Sequence, residues 1–121
     1  MCGTNNCVGI QSQAYLNGVR NDYAYVVDSI HKANPKCEIV IMGVGNTRSS
    51  RVPNATVNSF NRLLKGIADT RSYAVYFNTG AYINDGSGSL SQAYSAGDGI
   101  HWSSAAYRAV HARLLEFMKV L

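Results

Sequence analysis

Apolar residues return every three or four positions between Gln13 and Ala33, which is typical of an amphipathic helix with one buried face. The residues of this apolar stripe are Leu16, Val19, Tyr23, Val26 and Ile30. Asn34 precedes a proline, and a residue in that position is disfavoured in the helical conformation. The pattern therefore predicts a first helix over residues 13–33 that ends at Asn34-Pro35.

Two further stretches have the same helical spacing. The second stripe consists of Val57, Phe60, Leu64 and Ile67, and the third consists of Ala106, Val110, Leu114, Phe117 and Leu121. Ser103 stands just ahead of the third stripe, and a serine there can cap the first turn of a helix through its hydroxyl. The sequence therefore predicts two more helices after the first.

Two short apolar runs lie between the predicted helices. Residues 37–45 read "CEIVIMGVG" and residues 73–77 read "YAVYF". Short runs of this composition, bounded by glycine or polar loops, are typical of buried strands. Strands that alternate with helices need crossover connections, so the order of elements predicts an α/β fold with a parallel sheet and helices on both faces. A long loop rich in glycine and serine, residues 78–99, precedes the last helix.

The first six residues, "MCGTNN", indicate the last step of one more strand that enters a glycine turn. Two strands and such a stub make a poor parallel sheet, because both of its edges must be covered. We therefore expect the domain to be partial at its N-terminal side. We also expect the edge beside residues 37–45 to be unpaired and apolar, and to favour self-association or pairing with a complementing segment.

Composition and charge narrow the range of functions. The net charge is +4, but the eleven Lys and Arg residues are scattered along the chain, whereas nucleic-acid binders usually cluster them on one face. Cys2, Cys7 and Cys37 form no C-x-x-C pair, so buried or idle thiols are favoured over a metal site. No apolar stretch is long enough to span a membrane. These features leave the compartment open.

Candidate chemistry is concentrated in two segments that come after strand ends. Asn5 lies just beyond the N-terminal stub, and Asp98 and His101 close the long loop. Sites in open α/β sheets form at the carboxyl ends of strands, so all three side chains are expected at one edge. A histidine can act as general base for a hydroxyl nucleophile, a carboxylate can orient it, and an amide can donate to an oxyanion. Together they favour acyl transfer.

These segments resemble motifs of the SGNH (GDSL-type) hydrolases. "GTNN" at residues 3–6 is similar to the family's G-x-N-D motif, and "DGIH" at residues 98–101 is similar to its D-x-x-H motif. The resemblance covers essentially the whole chain and corresponds to the C-terminal portion of a family member. It implies a three-layer αβα fold with a flavodoxin-like parallel sheet whose N-terminal strands are missing. Residues 1–121 would form a single partial domain.

The resemblance also implies roles for individual residues. Asn5 would serve the oxyanion hole with Gly3 supporting its turn, Asp98 would be the triad acid and His101 the triad base. The implied reaction is hydrolysis of a small ester or an acetylated carbohydrate through a serine acyl-enzyme. It needs no metal and no cofactor.

The chain departs from the family pattern at three places. Asn6 replaces the usual aspartate and Trp102 replaces the proline that commonly comes after the histidine, but neither position performs proton transfer. More seriously, the sequence contains no G-D-S motif for the nucleophilic serine. Ser87 and Ser89 lie in "NDGSGS", inside a loop and not at a strand end, so they are poor candidates. The nucleophile is unassigned.

Simpler interpretations stay open beside the enzymatic one. His101 is also consistent with a solvent-exposed residue at the start of a helix. Asp98 and Asn5 are each consistent with a residue that only forms a turn. A chain that lacks the serine also fits a non-catalytic fragment or degenerate paralogue that acts through interaction. Tyr94, in the loop before Asp98, is a candidate for lining a substrate pocket.

Overall fold

A computed structural model describes residues 3–121. The chain folds as a mixed α/β unit with one two-stranded sheet, which confirms the predicted class and strand direction at this level. The elements in chain order are α1 (Gln13–Ala33), β1 (Ile39–Met42), α2 (Asn54–Asp69), β2 (Ala74–Phe77), α3 (Gly80–Ile83) and α4 (Ser104–Met118). Short 3-10 helices cover Thr4–Cys7 and Gln92–Tyr94.

The two strands are parallel and in register from Ile39 beside Ala74 to Met42 beside Phe77. Both are shorter than predicted, at four residues each. Backbone pairing nevertheless continues past the end of β1, because the Gly43 N–H donates to the Phe77 carbonyl at 2.9 Å. Since α2 connects two parallel strands, the carboxyl ends of β1 and β2 lie at the same edge of the sheet.

Alternate strand residues enter two hydrophobic clusters. Ile39 and Ile41 pack into a cluster with α1 and α2, whereas Val40 packs with Phe77 against residues of α4. Successive strand side chains point to opposite faces, so the clusters lie on the two sides of the sheet. Phe60 and Leu64, both predicted for the buried face of the second helix, are at most 1% exposed.

The bounds of α1 match the prediction, and so do Leu16, which is buried, and Val19 and Tyr23, which pack against the core. The C-terminal half of the predicted stripe differs. Ala24 and Val27 are buried, while Val26 and Ile30 are 55% and 44% exposed. At about 100° of rotation per residue, Val27 lies ~20° from Leu16 around the helix and Val26 lies ~80° away, on the side opposite Ala24. Ile30 lies beyond the last buried residue of the helix.

The Ser103 cap is confirmed, since its hydroxyl accepts the Ala106 N–H at 3.3 Å. Ala106 and Val110 are buried as predicted, but Leu121 lies beyond the end of α4 and is 45% exposed. The long loop is more regular than expected, because it contains α3, a 3-10 helix and an antiparallel bridge between Asn84 and Leu90. A second bridge joins its Ser95 to Trp102.

The predicted N-terminal strand stub falls partly outside the described residues, which begin at Gly3. Directly after Gly3 the chain forms the 3-10 helix Thr4–Cys7 and not a strand. Within residues 3–121, β1 pairs only with β2, so its other edge has no partner strand. Met42 on β1 is 39% exposed. Self-association through this edge stays a prediction.

Within the same range of residues, no helix has the length and apolar character that crossing a membrane requires.

Candidate active site

Asp98 and His101 lie in a tight turn just before α4. Gly97 and Gly99, on either side of Asp98, have φ angles of 115° and 77°, which side chains with a Cβ rarely adopt. This backbone lets one carboxylate oxygen of Asp98 accept the N–H groups of Ile100, at 2.9 Å, and His101, at 2.8 Å. The other oxygen bonds the Nδ1 atom of the His101 ring. The loop therefore joins acid and imidazole as expected.

The turn is braced from its N-terminal side by Ser95. The Ser95 hydroxyl accepts the N–H groups of Gly97 at 3.2 Å and Gly99 at 3.1 Å. A backbone bond from the Ala96 N–H to the His101 carbonyl, 2.9 Å long, closes the loop. The position of the histidine is thus fixed by backbone contacts on both sides of Asp98.

The electrostatics of the pair favour a carboxylate at Asp98. The hydrogen bond from His101 lowers the pKa of Asp98 well below its usual range, and the two backbone N–H groups add to the effect. A neutral His101 ring then carries its proton on Nδ1, toward the carboxylate, which leaves Nε2 with a free lone pair. The side chain of His101 is 71% exposed, so Nε2 is accessible.

Asn5 lies in the 3-10 helix that Gly3 begins. Gly3 has a φ of 98°, and a Cβ built there would lie 2.6 Å from Cγ2 of Val44. Both facts require glycine at this buried position. The Gly3 carbonyl accepts the Asn6 N–H at 3.0 Å. The amide of Asn5 is exposed and makes no hydrogen bond to any residue from 3 to 121.

The loop between β1 and α2 joins these two segments. The Arg48 N–H donates to the Gly99 carbonyl at 2.7 Å, and the Gly9 N–H donates to the Arg51 carbonyl at 2.8 Å. Close approach is possible because Gly99 has no side chain; a Cβ there would lie 3.2 Å from the Arg48 carbonyl carbon. Residues 48–52 therefore fill the space between the Asn5 segment and the His101 turn.

The three segments enclose a cleft of about 440 Å³. Its lining residues are Thr4, Asn5, Val8, Ser49, Arg51, Val52, Asp98, Ile100, His101 and Tyr107. The structure thus brings Asn5, Asp98 and His101 to one cleft, although the sequence separates them widely. Their chemical roles stay predictions.

Sequence reasoning missed Ser49, Arg51 and Tyr107 as lining residues of this cleft. Ser49 and Arg51 could have been found from their position, because the polar loop "NTRSSRVPN" comes directly after the first strand and its glycines. Tyr94, a candidate for lining a substrate pocket, is not part of this cleft. Its ring packs against the hydrophobic cluster that contains Phe77.

The geometry does not single out a nucleophile. The Ser87 hydroxyl donates to Asp85 at 2.7 Å, and neither Ser87 nor Ser89 lines the cleft. Ser49 does line it, and its hydroxyl accepts the Arg51 N–H at 3.2 Å. A serine at the end of an apolar strand beside His101, as the family pattern requires, is not found among the described residues.

Comparisons with known proteins show that the fold of this chain resembles that of a solved structure. No family model matches the chain, and no curated protein matches it. The fold resembles a solved structure described as "a putative platelet activating factor from Streptococcus pneumonia", with a TM-score of 0.77 and 19% sequence identity. The match covers 84% of this chain and 51% of that one, so the chain spans about half the length of the structure it matches. At this identity the likeness concerns the fold alone.

Proposed function

We propose that the chain belongs to a serine-type ester hydrolase of the SGNH kind and supplies its base, its acid and one oxyanion donor. The observation that carries the proposal is the meeting of Asn5, Asp98 and His101 in one cleft. Each residue comes from a motif that resembles the family's, and His101 is the only histidine in residues 3–121 that lies within ion-pair distance of a carboxylate. The reaction uses no metal and no cofactor.

His101 acts as the general base. With Nδ1 directed to Asp98, its Nε2 takes the proton of the attacking hydroxyl and later returns it to the leaving alcohol. Asp98 stays a carboxylate throughout, holds the productive tautomer and stabilises the imidazolium that forms. The short Asp98 turn, fixed by backbone bonds to Ile100 and His101, keeps this orientation without help from substrate.

Asn5 donates to the oxyanion. Its side-chain amide is exposed and free of other described partners, so it can turn toward the carbonyl oxygen of an ester in the cleft. An amide donor aimed at the tetrahedral intermediate typically lowers the barrier by about 3 kcal/mol. Gly3 contributes indirectly, because its positive φ allows the turn that carries Asn5.

The proposed fold is a three-layer αβα sandwich of flavodoxin-like topology, of which residues 1–121 are the C-terminal part. Two observations support it: apolar clusters on both faces of the parallel pair, and the likeness in fold to a solved structure of which the match covers 51%. The nucleophilic serine would come from a segment outside this sequence or from another chain. Small esters and acetylated carbohydrates are the proposed substrates.

A non-catalytic role is the second candidate. It is favoured by the absence of a G-D-S motif from the sequence and by the outer edge of β1, which has no partner strand in residues 3–121. In this case the chain binds a complementing segment or a second copy through that edge. A stable monomer in sedimentation velocity at all concentrations would argue against it.

The test of hydrolysis is turnover of p-nitrophenyl acetate by the chain, by His101→Ala and by a His111→Ala control on the exposed side of α4. A fluorophosphonate label, located by intact and tandem mass spectrometry, reports any activated serine. Turnover that only His101→Ala removes, with one serine labelled, supports hydrolysis and identifies the nucleophile. Equal rates in all three proteins and no label would exclude hydrolysis by this chain alone, as expected if the serine lies outside this sequence. The same result with a polypeptide that also contains the serine-bearing segment would favour the interaction role.

A further inference from the structure

A second cavity lies at the same edge of the sheet, outside the cleft of Asn5 and His101. It measures about 620 Å³ and shares no lining residue with that cleft. Its walls come from the segments beyond the carboxyl ends of β1 and β2 and from one face of α2. Asparagine is the most frequent residue in its lining, with Asn46, Asn58, Asn61, Asn78 and Asn84.

Three of these asparagines form a continuous chain of amide hydrogen bonds. Asn84 Nδ2 donates to Asn46 Oδ1 at 2.8 Å, and Asn46 Nδ2 donates to Asn58 Oδ1 at 2.9 Å. Asn46 is 5% exposed, and the buried Oδ1 atom of Asn84 has no hydrogen-bond partner among the described residues. The hydrogen bonds fix the amide groups in place, and they leave each end with an amide atom that the described residues do not satisfy: Asn58 Nδ2 and Asn84 Oδ1.

Two glycines make room for polar side chains of the lining, Gly80 for Asn46 and Asn84, and Gly43 for Tyr76. A Cβ at Gly80 would lie 2.9 Å from both Asn46 Oδ1 and Asn84 Nδ2, and a Cβ at Gly43 would lie 2.3 Å from the Tyr76 hydroxyl. Neither glycine has a positive φ. Glycine is therefore required at these positions by the close approach of the neighbouring side chains and not by the backbone conformation. Gly80, in the lining, and Gly43, next to the lining residue Tyr76, therefore both have to be small.

The face of α2 toward the cavity is polar in a regular pattern. Asn58, Asn61, Arg62 and Lys65 recur at spacings of three and four, opposite the buried stripe of Phe60 and Leu64. Lys65 pairs with Asp69 at 2.7 Å, whereas Arg62 contacts only the Ser59 hydroxyl, at 3.0 Å, and no carboxylate among the described residues.

Asp85 is the one carboxylate in the lining, and it does not pair with Arg62. Asp85 is bonded to Arg48 at 2.9 Å and accepts the N–H groups of Ser87 and Ser89. The cavity therefore combines fixed amide donors and acceptors with one cation that lacks an acidic partner.

We propose that this cavity binds a saccharide ring that carries a carboxylate, as in a uronic acid. Amide groups both donate and accept, which matches the paired donor and acceptor character of sugar hydroxyls, and Arg62 matches the carboxylate. The lining presents polar and apolar surface in nearly equal amounts, which matches a sugar ring with polar hydroxyl groups and C–H faces. The inference does not rest on ester hydrolysis, because it concerns a separate cavity and is tested by binding.

The test is a ¹H–¹⁵N NMR titration of the 121-residue chain with sodium glucuronate, glucose and sodium acetate. We expect saturable shifts of the Asn46 and Asn58 side-chain amide signals with glucuronate, weaker ones with glucose and none with acetate. Arg62→Gln should weaken glucuronate binding by about tenfold, the equivalent of ~1.4 kcal/mol, and leave glucose unchanged. Asn58→Ala should weaken both sugars.

Arg108→Gln on α4 and Asn17→Ala on α1 are the matched controls, since both residues are exposed and outside the cavity. All substituted positions are at the surface, so folding of the variants is checked from the dispersion of the same spectra. The proposal is overturned if neither sugar gives saturable shifts, if acetate shifts the same signals as glucuronate, or if Arg62→Gln binds glucuronate like the unaltered chain.

Discussion

His101 is bonded to Asp98 twice, through the Nδ1 atom of its ring and through its own backbone N–H. The two contacts use different oxygens of one carboxylate, so the position of the backbone and the rotation of the ring are set by the same group. Because the residues are three apart, this orientation is a local property of the turn.

The titration of Asp98 should depend on its histidine. His101→Ala removes the largest of the contacts that lower the Asp98 pKa, but the N–H of Ile100 and that of residue 101 remain. We therefore expect the pKa of Asp98 to rise in the variant without regaining its ordinary value. The measurement is the ¹³C chemical shift of the Asp98 carboxyl against pH. His111→Ala is the control, and an identical titration in all three proteins would contradict the pairing.

A second acid, Asp28, should make the stability of the fold depend on pH. Arg71 bonds both oxygens of Asp28, one of them at 2.9 Å, and the Tyr73 hydroxyl donates at 2.6 Å. The bond from Arg71 is the main reason that the pKa of Asp28 lies below its usual range. A lowered folded-state pKa stabilises the native chain above the ordinary carboxyl pKa, and this contribution is lost as the pH falls through the folded value.

Arg71→Met tests this contact, which ties α1 to the turn before β2. We expect a lower free energy of unfolding at pH 7 and a smaller loss of stability between pH 7 and pH 3 than in the unaltered chain, measured by urea titration. Lys65→Met is the control, because the pair of Lys65 and Asp69 is more than half exposed on both sides. Exposed pairs of this kind contribute about 0–1 kcal/mol. Equal pH dependence in Arg71→Met and the unaltered chain would exclude the role of Asp28.

Local features of this chain were predictable, and features decided by distant contacts were not. The ends of α1, the Ser103 cap and the pairing of Asp98 with His101 depend on residues close in sequence, and they were expected. Which side of α1 is buried depends on how the helix rests on α2, so the choice between Val26 and Val27 needed the structure. Helical spacing alone places both near the apolar face.

The contacts that form the cleft could not be predicted from the sequence either. Arg48 and Gly99 meet through backbone atoms, a contact that has no signature in side-chain chemistry. The amides of Asn46 and Asn84 present the same difficulty, because two isolated asparagines in polar loops usually indicate turns. Their hydrogen bond depends on the parallel pairing that brings the ends of β1 and β2 to one edge.

Asn5 and Asn6 should differ sharply in their effect on turnover. In any preparation that hydrolyses p-nitrophenyl acetate, Asn5→Ala should lower kcat by about 10²- to 10³-fold with little change in KM, as loss of an oxyanion donor does. Asn6→Ala is the matched control, because that side chain donates to the Tyr15 hydroxyl at 3.4 Å and does not line the cleft. Similar kcat values for the two variants would remove Asn5 from the oxyanion hole.

Gly3 and Gly18 should respond in opposite directions to alanine. At Gly3 the new Cβ meets a φ of 98° and the side chain of Val44 at 2.6 Å, so Gly3→Ala combines backbone strain with overpacking. We expect a loss of about 2–4 kcal/mol in the free energy of unfolding. Gly18 lies within α1 with nothing near its Cβ position, and Gly18→Ala should stabilise the chain by about 0.5–1 kcal/mol. Urea unfolding followed by circular dichroism measures both, and a Gly3→Ala variant as stable as the parent would mean that the turn carrying Asn5 is not fixed by this glycine.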